Sequence, residues 1–151
     1  MFKLKVLLLF VLTSGVLFFS TSAQQSISLE EGVKLGLITL ISRGGYFGNP
    51  VSILSNGSNT QDYILEVRKG DVLLTKGPED QNMVISRDLD VHFLANQELR
   101  SEGMWTFCLD WQMSTPSAGT YLDIAPSLTE WPCDEAQQLL RLLDAIDAKE
   151  V

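Results

Sequence analysis

One histidine, two cysteines and 11 basic residues against 19 acidic ones leave this 151-residue chain short of the groups that much of catalysis and nucleic-acid binding depends on. A Ser–His–Asp triad would have to use His92, and no serine stands in a Gly-x-Ser-x-Gly elbow. Cys108, Cys133 and His92 lack the fourth strong ligand of a zinc site. The shortage of lysine and arginine argues against nucleic acid and against anionic membrane surfaces, both of which need basic patches. Residues 43–50 are glycine-rich, but no Gly-Lys-Ser/Thr ends them and no helix follows, so turn geometry rather than phosphate binding accounts for the glycines. No internal repeat or low-complexity linker is present.

What is there begins with an export signal. Lys3 and Lys5 precede an apolar run over residues 6–19, followed by Ser20, Thr21, Ser22 and Ala23. Small residues at Thr21 and Ala23 suit the positions ahead of a signal peptidase cut. A spanning helix needs about 20 apolar residues, and this run is shorter and broken by Thr13, Ser14 and Gly15. Residues 1–23 are therefore expected to be a cleaved signal peptide, with no stable membrane span left afterwards. The product is secreted, periplasmic or held at the cell surface. Loss of Lys3 and Lys5 takes the net charge from −8 to −10. The remaining residues, 24–151, have the size of a single domain.

Within that domain, Ser28 and Glu31 spell a capping box for a short helix. Strands are expected over residues 37–42, 51–54, 63–67, 72–75, 83–86 and 91–94, and over an alternating stretch from Trp105 to Trp111. In that stretch Trp105, Phe107, Leu109 and Trp111 face one way; Thr106, Cys108 and Asp110 face the other. Asn56-Gly57 reads as a hairpin tip that pairs residues 51–54 with 63–67; with Ser58 it also spells a glycosylation sequon. Residues 115–119 read as the end of the strand region. Ala136, Leu139, Leu140, Leu143 and Ile146 recur at helical spacing behind Asp134 and Glu135, which predicts a closing amphipathic helix over about residues 133–149. Short strands between turn signals make an antiparallel sandwich or barrel.

The order of several pieces resembles secreted bacterial immunoglobulin-like β-sandwich modules. These pieces are Leu29-Glu30-Glu31-Gly32 through Ile38, Arg43-Gly44-Gly45 with Tyr46, Arg68-Lys69-Gly70-Asp71, Gln81-Asn82-Met83-Val84-Ile85 and Phe107-Cys108-Leu109-Asp110. The resemblance implies a mainly β, immunoglobulin-like sandwich with a short N-terminal helix and a C-terminal amphipathic one, and an extracellular module of unassigned activity. Phe107-Cys108-Leu109 is also similar to the aromatic-Cys-apolar motif of thioester domains in surface adhesins, where the thiol bonds to a downstream glutamine. Their second motif, Thr-Gln-x-Ala-apolar-Trp, is missing; Gln137 and Gln138 lack its context.

In an oxidising compartment two cysteines most often pair. A Cys108–Cys133 disulfide is accordingly expected, closing a loop of about 25 residues worth roughly 3 kcal/mol. Tyr46 and Phe47, in the glycine-rich loop, are the expected binding contacts, because an aromatic there has less reason to be buried. No catalytic residue, metal or cofactor is assigned. Asp88, Asp90, Asp110 and Asp123 could supply a carboxylate pair, and the acidic runs around Asp88 and Glu79 lack an EF-hand pattern. The expectation is a non-catalytic module for binding, adhesion or scaffolding, with an extracytoplasmic protein or glycan as partner. A covalent adhesion module using Cys108 and a small carboxylate-dependent hydrolase are the alternatives.

Overall fold

The computed structural model describes residues 24–45, 49–57, 59–98, 103–110 and 112–147. The expected signal peptide, Tyr46, Phe47 and Trp111 lie outside those residues. From Gln24 onward, β1 (Gln25–Ser28) runs straight into α1 (Leu29–Lys34), whose N-cap Ser28 accepts a hydrogen bond from Glu31 N. Then come β2 (Ile38–Ser42), β3 (Val51–Ser55), β4 (Tyr63–Val67), β5 (Val72–Thr75) and β6 (Met83–Ile85). After these follow β7 (Leu89–Phe93), β8 (Thr106–Cys108), β9 (Tyr121–Ala125) and α2 (Asp134–Asp147). The chain is mainly β, and its strands form two sheets packed together. One has the order β1-β4-β7, the other β3-β2-β9-β5-β6-β8.

Alternation along the strands explains the layering. Consecutive side chains face opposite sides of a sheet. β5 sends Leu73 into the core between the sheets and Val72 and Leu74 the other way; β6 sends Met83 and Ile85 inward and Val84 outward. Both sets are apolar, so this half of the larger sheet needs cover on both faces. Ile27, Leu65, Val67 and Phe93 of the smaller sheet, with Leu29 of α1, cover the inner face. Ala136, Leu139, Leu140 and Leu143 of α2 cover the outer one.

A four-residue corner, Arg68-Lys69-Gly70-Asp71, carries the chain from the smaller sheet to the larger. Arg68 N donates to Asp71 Oδ2 at 3.0 Å. Gly70 N donates to Ile85 O, Ile85 N to Asp71 O, and Leu128 N to Gly70 O. Gly70 adopts φ +94°, a conformation that favours glycine, and a Cβ there would stand 2.8 Å from Leu140 Cδ2, so the leucine would have to shift.

Four sequence expectations change. β3 pairs with β2, not with β4, so the Asn56-Gly57 segment crosses between sheets, and the glycine-rich loop is the one joining a hairpin. The sandwich is not wholly antiparallel, since β1 runs parallel to β4. The strand region does not end at residue 119: β9 follows and sits between β2 and β5. Finally, Cys108 and Cys133 are not bonded to each other. Cys108 is the register partner of Met83, which points into the core between the sheets. Cys133 precedes the helix that covers Phe107 and Leu109 on the opposite face. Strand alternation thus assigns Cys108 to the face opposite the one that α2 covers.

Leu143 is 2% exposed in the seam beneath α2, whereas Leu142, one residue back, is 60% exposed. Leu143→Ala should lower unfolding stability by about 2–5 kcal/mol, and Leu142→Ala by less than about 0.5 kcal/mol, both measured by urea denaturation.

Asp71 gives a pH-dependent counterpart. Burial raises its carboxyl above the ordinary range, against the opposing pull of hydrogen bonds from Arg68 N and Ser127 and of the Arg68 charge. With the folded value above the unfolded one, the native state binds more protons between the two. The group's contribution to stability is therefore complete below the ordinary aspartate pKa of about 3.9 and is lost as pH rises through the raised value. Asp71→Asn, which can still accept from Arg68 N, should gain stability relative to the parent on going from acid to neutral pH. Urea midpoints of both proteins across that range measure the difference.

Candidate functional site

A recess opens at the end of the sandwich where α1 stops, and local capping shapes it. Gly36 takes φ +66° just past the helix. Leu37 N donates to Gly32 O and Gly36 N to Val33 O, the paired bonds of a Schellman ending. This turn leaves Leu35 61% exposed at the rim and lays Leu37 against the recess wall.

The loop from β3 to β4 forms the facing wall, and Asn59 holds it in place. Its side chain is buried and donates to Tyr63 OH at 3.1 Å and to Leu37 O at 3.4 Å. Its backbone N–H donates to Asn56 O, and its carbonyl accepts from Asn96 N at 2.6 Å. Asn56 N donates to the same Leu37 carbonyl at 2.8 Å. A loop with this much internal bonding needs no ladder to keep its shape. Gln25 and Ile27 of β1 complete the lining of a pocket of about 340 Å³. On the other side of Thr60, Gln61 and Asp62 a second recess of about 420 Å³ reaches Gln24 and Ala95.

The lining is chemically mixed. Gln25, Asn56, Asn59 and Gln61 present side-chain amides, and Ile27, Leu35 and Leu37 present aliphatic surface. Asp62 is the one lining carboxylate among the described residues, and its Oδ1 accepts from Ala95 N at 2.7 Å. Burial pushes the Tyr63 phenol up, beyond the lowering effect of its Asn59 hydrogen bond, so it stays protonated. The Tyr63 ring stacks on Phe93 with centroids 5.0 Å apart and turns its faces to the core.

The structure does not gather the residues picked from sequence into this pocket. Tyr46 and Phe47 lie outside the described residues; Arg43 and Pro50, which flank their loop, are joined by a backbone bond at the far end of the β2–β3 hairpin. The four aspartates are scattered and engaged. Asp88 Oδ1 accepts from Lys69 N, and Asp90 pairs with Arg68 at 2.6 Å. These two rim a shallow depression with Arg68 and Leu89. Asp110 caps its own turn through Gln112 N, and Asp123 lies 3.9 Å from Lys76 on the outer face. His92 is exposed on β7, its Nδ1 3.4 Å from Gln24 Nε2. Among the described residues no group of three or more His, Cys, Asp or Glu is placed to hold a metal ion. Sequence reasoning saw the Asn56-Gly57 turn but not the pocket beside it. The signal available was the amide-rich spelling Asn56, Asn59, Thr60, Gln61 ahead of an apolar strand.

The cysteines differ in reactivity. Cys133 is exposed; Cys108 is half-buried, and burial pushes its thiol up. The thiolate is the reacting form, so iodoacetamide should modify Cys133 first and Cys108 severalfold more slowly at neutral pH. Peptide mass spectrometry of a time course reads both rates.

Comparisons with protein-family models, with curated proteins and with solved structures find no match to this chain.

Proposed function

We propose that the protein is an exported β-sandwich binding module that engages an extracytoplasmic protein or glycan through the pocket between α1 and the β3–β4 loop. The observation that carries this reading is the chemistry of the lining: four side-chain amides, the Thr60 hydroxyl and three aliphatic residues around about 340 Å³. Such groups orient a ligand by hydrogen bonding and apolar contact without exchanging protons with it. Export rests on residues 1–23, and the immunoglobulin-like relation on sequence order. The strand orders β3-β2-β9-β5-β6-β8 and β1-β4-β7 differ from the ABED and CFG sheets of an immunoglobulin constant domain, so the reading uses only the two-sheet scaffold.

One observation keeps the covalent alternative as a second reading. Gln81 is 1% exposed, and its Nε2 has no hydrogen-bond partner. It stands two residues before Met83, the register partner of Cys108. Attack of the Cys108 sulfur on the Gln81 amide carbon would form a thioester and release one ammonia.

Two measurements on the chain expressed with its own N-terminus test these readings. N-terminal sequencing of extracytoplasmic material should begin at Gln24; an uncleaved, cytoplasmic product would refute export. The intact mass of that product should equal the calculated one with both thiols reduced. A deficit of about 17 Da, from the lost ammonia, that maps to the peptides holding Gln81 and Cys108 rather than to a cyclised Gln24 and is opened by methylamine, would favour the covalent reading instead.

A further inference from the structure

β1 is an edge strand: among the described residues it pairs with β4 on one side and with no strand on the other. A strand's backbone donors and acceptors point alternately to its two sides, so an edge keeps a row of them for a further strand. In β1 the side chains also divide by face. Ser26 turns outward and donates to Glu66 at 2.5 Å, whereas Gln25 and Ile27 line the pocket. A strand added beside β1 would therefore direct every second side chain toward the pocket, where Leu35 and Leu37 offer an apolar seat and the amide of Gln61 meets peptide groups.

We infer that the open edge of β1 takes an extended, neutral-to-basic polypeptide segment as an added strand, with alternate aliphatic side chains of that segment seated in the adjoining pocket. This rests on the binding role proposed above and narrows it from protein or glycan to polypeptide. Three features select the occupant. Side-chain amides both donate and accept, which matches a peptide backbone. Among the described residues the lining holds no cation and one carboxylate, Asp62, on a domain of net charge −10 once residues 1–23 are removed, so an acidic segment is repelled. A saccharide would want an aromatic face, and the only lining aromatic among the described residues, Tyr63, is 5% exposed with its ring stacked on Phe93. The two edges of this sheet also differ. β7, at the opposite edge, presents Asp90 and His92, charged or polar groups of the kind that discourage strand addition, and β1 presents Gln25, Ser26 and Ser28. Four residues make β1 too short to template aggregation by itself; the pocket supplies the selectivity.

The test uses the processed protein, an immobilised array of randomised octapeptides and an array of neutral oligosaccharides. Peptides free of net negative charge should be retained, and substitution along a retained peptide should weaken binding at alternate positions. In amide-resolved NMR that peptide should shift Gln25, Ser26, Ile27 and Ser28 and slow their hydrogen exchange. Leu35→Ser should weaken binding about tenfold, in line with the burial of one leucine side chain, and Leu142→Ser on α2 should leave it unchanged. Retention of oligosaccharides but not peptides would overturn the inference while sparing the binding role. Peptide binding without alternation, or without change at β1, would overturn it too. So would protection of the β1 amides that depends on protein concentration alone, which would assign the edge to a second copy of the chain. Absence of binding on both arrays would remove the pocket-based role together with the inference, whereas a failure of export would appear separately, as an uncleaved N-terminus.

Discussion

Burial of β5 and β6 on both faces is the constraint from which the rest of the architecture follows. Val72, Leu73, Val84 and Ile85 are each at most 1% exposed, although successive members point to opposite sides of the sheet. A strand pair like this cannot sit on the surface of a two-layer sandwich, because one of its apolar faces would meet water. At about 25 cal/mol per Å² of apolar surface, leaving that face open would cost several kcal/mol, comparable with the whole net stability of a domain this size. α2 is the answer, and the corner at Gly70, which has no side chain to obstruct Leu140, lets the helix approach.

The same two-sidedness decides what the cysteines do. Position 108 alternates with Phe107 and Leu109, and those two are the residues α2 covers. Any residue at the foot of α2, Cys133 included, is thus on the wrong side of the sheet for Cys108. The alternation of residues 105–111 was legible in the sequence, as was the apolar stripe of the terminal helix. Put together, they would have argued against the disulfide; read separately from an export signal and a count of two, they argued for it. The bond between a compartment and a cysteine pair is statistical, whereas the face a side chain occupies is geometric, and here geometry wins.

Other parts of the fold were legible to different depths. β4 and β5 announce themselves through β-branched and aliphatic residues on either side of the Lys69-Gly70 corner. The connections did not. Asn-Gly signals a tight turn but does not say whether the chain then pairs locally or crosses to another sheet; that choice depends on where Leu65 and Val67 find apolar partners. β9 was hidden because Tyr121 and Asp123 are exposed and alternate with Leu122 and Ile124, while the Pro116 and Gly119 turn before it looked like a terminus. β1 was hidden behind its neighbour, since Ser28 is at once the last residue of a strand and the cap of a helix. The pocket was the least legible feature, because it is assembled from three separate segments of the chain, and none of them is unusual alone.

That assembly explains why the candidate site lies at the α1 end rather than in the aromatic glycine-rich loop. A binding surface needs polar groups whose orientation is already held, so that little ordering entropy is lost when a ligand arrives. At the α1 end, Leu37 O accepts from both Asn56 N and Asn59 Nδ2, and the Asn59 carbonyl ties in Asn96. The loop that displays the amides is thereby fixed from both sides, and the Schellman turn fixes Leu35 across from it. The amides that hold the wall, at Asn59, and those that remain at the mouth, at Gln61, are thus parts of one hydrogen-bonded loop. A sheet edge beside a rigid, amide-lined recess has backbone groups for affinity and side-chain space for selection within reach of a single extended segment. Two of those features, the end of the β1 edge at Ser28 and the place of Leu35 at the rim, have their origin in the way α1, a helix of six residues, begins and ends.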